Sequence, residues 1–152
     1  MKNIKTVPFN NLIWIVFIIV LNGCATTYSS LKSDDRTGGY ELIIAEEQDV
    51  LDAAYEAIQN RFPDTIISGL VAGKEKGFTF YTQPLLDRTT FKFSIDKANA
   101  ITQDGKTVTG YYYSVYAQGT QWFMSRHIQP LISEFKRMLK KKGVTLIWVL
   151  GE

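Results

Sequence analysis

The sequence predicts a small α+β domain, a two-layer sandwich with two helices on one face of a mainly antiparallel sheet. Two stretches with apolar residues at three- and four-residue spacing predict the helices, one ending before Pro63 and one ending before Gly143. Six short runs predict strands, and the clearest alternates Phe91, Phe93 and Ile95 with polar residues. The predicted order is β-α-β-β-β-β-α-β, within a single domain over residues 40–152.

The first strand is expected at residues 40–45 and is followed directly by the first helix. Glu46, Glu47 and Asp49 lie in the first turn of that helix, where they favour the positive end of the helix dipole. Pro63 ends the helix, since proline cannot continue a helical hydrogen-bond pattern.

Two hairpins are predicted between the helices. The first joins strands at 65–71 and 78–83 through the glycine-containing loop 72–77. The second returns through Asp104-Gly105, a strong signal for a two-residue loop.

A two-residue loop at Asp104-Gly105 fixes a register in which Ile95 faces Ser114. Side chains alternate between the faces of a strand, so this register places Tyr111 and Tyr113 on the sheet face away from the helices.

The second helix begins either near Thr120, with a kink at Pro130, or at Pro130 itself. Its last turn is rich in lysine, and Gly143 is the expected residue after its end. The apolar run at 144–149 then predicts a strand near the middle of the sheet, buried on both faces.

The N-terminal segment has the order of a secretory signal peptide: Lys2 and Lys5, an apolar run over 12–21, and then the small residue Gly23 before Cys24. A helix of ten residues is about 15 Å long, half of the roughly 30 Å hydrocarbon core, which argues against a transmembrane anchor. A buried free thiol is the other alternative, but Cys24 is the only cysteine and would have no disulfide partner in an exported protein.

The residues Leu21-Asn22-Gly23-Cys24 resemble the lipobox of bacterial lipoproteins. This resemblance implies that diacylglycerol is attached to the Cys24 sulfur and that residues 1–23 are removed. Residues 24–39 would then be a lipidated flexible tether. The resemblance also implies a cell-membrane or outer-membrane location facing the periplasm or the cell exterior, and Ala25 after the cysteine favours the outer membrane.

The net charge of +2 does not indicate a nucleic-acid partner. Lys2 and Lys5 belong to the predicted signal peptide, so their removal leaves equal numbers of acidic and basic residues. Acidic residues predominate at 34–64 and basic residues after them. We expect the acidic first helix to pair with the basic second helix.

The residues needed for common catalytic sites are missing from the sequence. His127 is the only histidine and Cys24 is the only cysteine, so neither a Cys/His pair nor a zinc site of nitrogen and sulfur ligands can form if Cys24 is lipidated. No glycine-rich phosphate loop is present. The sequence therefore predicts a protein that is not an enzyme and that needs no cofactor or metal.

Two surfaces are candidate binding sites. The first is the predicted tyrosine face, formed by Tyr111, Tyr113 and Trp122. The second is a basic face formed by Arg126, Lys136, Arg137, Lys140, Lys141 and Lys142. Cross-strand tyrosines and a solvated basic helix face are the ordinary structural explanations for these residues. Our functional hypothesis is a lipid-anchored envelope protein that binds another envelope protein. The first alternative is a small-molecule or glycan-binding module using the tyrosine face, and an envelope hydrolase is the last.

Overall fold

A computed structural model describes residues 24–29, 39–82, 89–119 and 121–150. In chain order the elements are β1 (Cys24–Ser29), β2 (Gly39–Ile44), α1 (Glu47–Arg61), β3 (Ser68–Ala72), β4 (Glu75–Thr82), β5 (Thr89–Thr102), β6 (Thr107–Gly119), α2 (Gln121–Lys141) and β7 (Thr145–Leu150). The predicted order is found from β2 onward, so the α+β prediction is confirmed. The predicted signal peptide, residues 1–23, lies outside the described residues.

The strands form one sheet in the order β1-β6-β2-β7-β5-β4-β3, and β5 also pairs with β6. Every strand pair described is antiparallel. The long β5–β6 hairpin is shared by two parts of the sheet. Toward one end of the hairpin, β4 and β1 extend the sheet on either side. Toward the other end, β2 and β7 join β6 back to β5, so these four strands close into a ring.

The closure of the ring depends on two short contacts between strands. Ile43 of β2 faces Tyr111 of β6, and Ile101 of β5 faces Leu150 of β7. The ring was not predicted, because it requires pairing between strands that are far apart in sequence. Gly110 makes the first contact possible, since a Cβ added there would lie 2.5 Å from the carbonyl oxygen of Ile43.

The ring divides the apolar interior into two cores. The main core lies between the helices and the sheet and includes Phe91, Phe93, Tyr113 and Phe135. A second core lies inside the ring and is formed by Leu42, Ala100, Tyr112 and Val149, with the half-buried Tyr40, Ile44, Ala98, Val108 and Ile147 packed against them. Neighbouring residues of one strand contribute to different cores, because their side chains point to opposite faces of the sheet.

The loop of the β5–β6 hairpin has three residues, 103–105, because Thr102 and Lys106 form the last pair before it. The sequence predicted a loop of two residues. The Thr102 N–H donates to the Lys106 carbonyl at 2.9 Å, and the Gly105 N–H donates to the Thr102 carbonyl at 2.9 Å. Gly105 has a φ of +79°, as expected for the last residue of a three-residue loop. One extra loop residue shifts the register by one, so Ile95 faces Tyr113 instead of Ser114.

The first hairpin also has a shorter loop than predicted. β3 runs to Ala72 and β4 begins at Glu75, so only Gly73 and Lys74 separate the strands. The positive φ of Gly73, +63°, is suited to the first central position of a type II′ turn.

The bounds of the second helix decide between its two predicted starts and confirm the predicted role of Gly143 at its end. It begins at Gln121 and contains Pro130 in its interior. At its other end Gly143 has a φ of +74°, and the Val144 N–H donates to the Leu139 carbonyl at 3.0 Å. Gly143 therefore ends the helix as predicted.

Two predictions about strands were wrong. Residues 24–29, predicted as part of a flexible tether, form β1 and pair with β6 from Cys24 opposite Gly119 to Ser29 opposite Ser114. The rest of the predicted tether up to residue 38 lies outside the described residues. β7 is not buried on both faces, because Trp148 is 47% exposed whereas Val149 is buried.

Candidate functional surfaces

The predicted tyrosine face does not exist, because Tyr111 and Tyr113 lie in the main core. Their exposed fractions are 7% and 1%. The Tyr113 ring lies 5.3 Å from the Phe135 ring of α2, so it packs against the helix layer. The shifted hairpin register is the reason, since it moves both tyrosines to the helix-facing side. Trp122 lies in the first turn of α2, and its side chain lies outside the described residues.

Three residues of the predicted basic face form ion pairs with carboxylates within the described part of the chain. The three ion pairs are Lys136–Glu41 at 2.5 Å, Arg137–Glu134 at 2.6 Å and Lys142–Glu56 at 3.2 Å. Of the remaining basic residues, Arg126, Lys140 and Lys141 are exposed on α2. Among the described ion pairs, only Lys142–Glu56 connects α1 with the end of α2, where Lys142 is the residue after the last helical residue. The expected pairing of the acidic and basic helices is therefore found at one place.

Glu134 links the helices by hydrogen bonds. The Arg137 guanidinium and the Asn60 side-chain amide of α1 both donate to its carboxylate, Asn60 at 2.8 Å. These bonds, chiefly that from Arg137, lower the pKa of Glu134 to about 2. The carboxylate is therefore ionised at neutral pH and positions α1 against α2, which is a structural role.

A polar cluster lies on the other side of the sheet, where β4, β5 and β6 turn their second face away from the helices. We call Glu75, Lys92, Ser94, Asp96 and Ser114 the open-face cluster. Lys92 Nζ lies 2.5 Å from Glu75 Oε2, and the hydroxyls of Ser94 and Ser114 lie 2.8 Å apart. The Ser94 hydroxyl also donates to Glu75 Oε1 at 3.5 Å. Three strands thus contribute to one hydrogen-bonded network.

Burial and charge within the open-face cluster affect Asp96. Burial raises the pKa of Asp96, the neighbouring charge of Glu75 raises it further, and Lys92 acts in the opposite direction. The register explains the proximity, because Lys76 pairs with Ile95 and Glu75 is therefore next to Asp96. Glu75 forms the ion pair with Lys92, whereas Asp96 is affected by their charges without a described bond to either, so its carboxylate oxygens can accept hydrogen bonds from a polar partner.

Aromatic side chains flank the open-face cluster. Tyr116 of β6 faces Lys92 of β5, and Tyr81 of β4 faces Thr90 of β5, so both tyrosines share the face of the cluster. Both are half-buried. Tyrosine is enriched at protein interfaces and at their binding hot spots.

The open-face cluster lacks the arrangement of a hydrolase. His127, which would be the general base, is on α2 in the helix layer, where its ring lies 5.4 Å from that of Phe62. Burial lowers the pKa of His127, and the charges of Arg61 and Arg126 lower it further. Among the described residues, no group of three or more His, Cys, Asp or Glu is placed to hold a metal ion.

The sequence contained part of the signal for the open-face cluster. Lys92, Ser94 and Asp96 are the polar residues that alternate with the apolar face of β5. Their partners Glu75 and Ser114 come from β4 and β6, and only the strand register brings them to the same place. The cluster was therefore missed at the level of sequence.

Comparison with protein-family models, with curated proteins and with solved structures found no match for this chain. None of the helices in the described part of the chain is long and apolar enough to cross a membrane.

Proposed function

We propose that this protein is a lipid-anchored protein of the cell envelope, whose domain is a non-enzymatic module that binds another envelope protein. The observation that carries the proposal is the lipobox-like Leu21-Asn22-Gly23-Cys24 after a charged and then apolar N-terminal segment. The domain faces the periplasm or the cell exterior, from either the cell membrane or the outer membrane. The lipid on Cys24 is its contact with the bilayer.

The position of Cys24 in the fold determines which end of the domain a lipid anchor would hold against the membrane. Cys24 is the first residue of β1 and faces Gly119, the last residue of β6. A lipid on Cys24 is therefore attached to the sheet itself, at the end where β6 leads into α2. This end of the domain would lie against the membrane, and the orientation would restrict which surfaces a partner can reach.

Metabolic labelling with palmitate tests the anchor. We expect the wild-type protein to be labelled and to sediment with membranes, and Cys24→Ala to lose the label almost completely. Adding Ser29→Cys to Cys24→Ala is the matched control, because it restores a cysteine to β1 outside the lipobox and should not restore the label. Equal labelling of wild type and Cys24→Ala would contradict lipidation at this residue.

The sheet face that carries the open-face cluster is the surface that the proposal assigns to the partner. Ser94 is buried there, so the groups within reach of a partner are the half-buried Glu75, Lys92, Asp96 and Tyr116 and the exposed Gln118. The opposite face of the sheet is covered by the helices. A protein partner could pair its own polar groups with this surface and cover the tyrosine rings.

Chemical crosslinking in intact membranes, followed by purification, tests the assignment of the partner surface. We expect Tyr116→Ala with Gln118→Ala to reduce recovery of the main crosslinked protein by about tenfold, the loss typical of a hot spot. The matched control is Gln48→Ala with Gln59→Ala on the exposed side of α1, which should not change recovery. An unchanged set of crosslinked proteins would contradict the assignment, and binding of soluble glycan fragments instead would favour the alternative function.

A further inference from the structure

Four residues on neighbouring strands form a row across the end of the sheet where Cys24 lies. Thr82 of β4 faces Thr89 of β5. Cys24 of β1 faces Gly119 of β6, and the β5–β6 register places Thr89 next to Gly119. Residues that face each other on neighbouring strands share one face of the sheet, here the side toward the helices. We call Thr82, Thr89, Gly119 and Cys24 the anchor row.

The hydroxyl of Thr89 is buried without a hydrogen-bond partner. Thr89 is 0% exposed, and its Oγ1 forms no hydrogen bond with any described residue. Such groups are rare in folded proteins, because burial removes the water that would otherwise bind them. The Thr89 hydroxyl is therefore a donor available for a group that is not part of the polypeptide fold.

The Thr89 hydroxyl is directed along the anchor row toward Cys24. A Cβ added at Gly119 would lie 2.3 Å from Thr89 Oγ1, so this oxygen occupies the space over the glycine. Neighbouring strands are about 4.8 Å apart, which puts Oγ1 about 5 Å from the strand position of Cys24. A group a few bonds beyond the Cys24 sulfur can span that separation.

We propose that Thr89 Oγ1 donates a hydrogen bond to an ester carbonyl of the diacylglyceryl group on Cys24. This inference rests on the proposed lipidation of Cys24. The ester carbonyl oxygens of such a group lie a few bonds from the sulfur, and they accept the hydrogen bond that the hydroxyl can donate. A side chain at residue 119 would overlap the Thr89 hydroxyl, so glycine keeps this approach open. The anchor row would then hold the polar part of the lipid and fix the domain at one angle to the bilayer.

Infrared spectroscopy of the lipidated full chain, in a detergent without ester groups, tests this hydrogen bond. Hydrogen bonding lowers the stretching frequency of an ester carbonyl, so the bonded and the free ester of the anchor should give separate bands. We expect Thr89→Val to lose the lower-frequency band, because valine has the shape of threonine but cannot donate. Thr89→Ser retains the hydroxyl and should retain the band.

The matched control is Thr82→Val, which removes another buried hydroxyl without a described partner from the same row. Thr82 is three strands from Cys24, about 14 Å, so its loss should leave both bands unchanged. A lower-frequency band that persists in Thr89→Val, or that Thr82→Val removes equally, would overturn the proposal. A single ester band in the wild type would also overturn it.

Mass spectrometry of the purified wild-type protein separates failure of the anchor from failure of its contact with Thr89. We expect the mature chain to carry the mass of a diacylglyceryl group. Its absence would contradict the lipidation of Cys24 and, with it, the contact. If the mass is present, the infrared bands judge the contact alone.

Urea denaturation in the same detergent provides an independent test. In the lipidated protein we expect Thr89→Val to lower the midpoint of unfolding, because the substitution removes the donor to the lipid. In Cys24→Ala, which has no lipid, the same substitution should leave the midpoint unchanged or raise it, since an unpartnered hydroxyl is lost. An equal effect of Thr89→Val in both proteins would overturn the proposal.

Discussion

Gly110→Val is expected to lower the free energy of unfolding by more than about 3 kcal/mol, because a side chain at this position overlaps the neighbouring strand. A Cβ added at Gly110 would lie 2.5 Å from the Ile43 carbonyl oxygen and 2.7 Å from Leu42 Cγ. The first of these atoms belongs to the backbone and cannot rotate away. Relief of the overlap would require β2 to move away from β6, and that movement opens the ring.

Urea denaturation followed by circular dichroism measures this loss. Gly69→Val is the matched control, since the same substitution on β3 meets no atom within 4 Å of its Cβ. We expect the control to change the free energy of unfolding by less than about 0.5 kcal/mol. A loss below about 1 kcal/mol for Gly110→Val would show that the close approach of β2 to β6 does not form.

Phe135→Ala is expected to lower the free energy of unfolding by about 3–5 kcal/mol. Phe135 of α2 is fully buried, and its ring meets those of Phe93 and Tyr113 edge-on at 4.8 and 5.3 Å. Truncation removes these contacts and leaves a cavity between the helix layer and the sheet. The surrounding rings are held by both layers, so they can fill only part of that space.

Two further substitutions test whether the loss of stability in Phe135→Ala comes from the cavity or from a general effect on α2. Phe135→Leu retains most of the apolar volume and should cost about 1–2 kcal/mol. Ser133→Ala changes an exposed residue of the same helix and should alter stability by less than about 0.5 kcal/mol. If Phe135→Ala costs no more than Ser133→Ala, α2 does not pack on the sheet through this residue.

The tyrosines show the extent to which sequence patterns predict a surface. The pattern of β5 and β6 correctly predicts two paired strands, because alternation of side chains is a local property. Whether Tyr113 faces the core or solvent depends on the number of loop residues, and one residue reverses the answer. Asp104-Gly105 is compatible with loops of two or three residues, so the local signal leaves the register open.

The candidate site has the same dependence on register. Lys92 and Asp96 are recognisable in the sequence as residues of a polar strand face. Glu75 is on a different strand, and only the pairing of β4 with β5 brings its Oε2 to within 2.5 Å of Lys92 Nζ. The open-face cluster could therefore not be derived from spacing along the chain.

The sequence alone was enough to identify both helices, the end of α2 at Gly143, the α+β class and the lipobox-like residues before Cys24. These features depend on periodicity, turn residues and short motifs, which a few neighbouring residues encode. Tertiary structure decided the burial of Tyr111, the closure of the ring at Gly110 and the pairing of Cys24 with Gly119. Each of these depends on which distant strands pair and in what register, and hydrogen bonds between strands impose that choice only when the whole sheet forms.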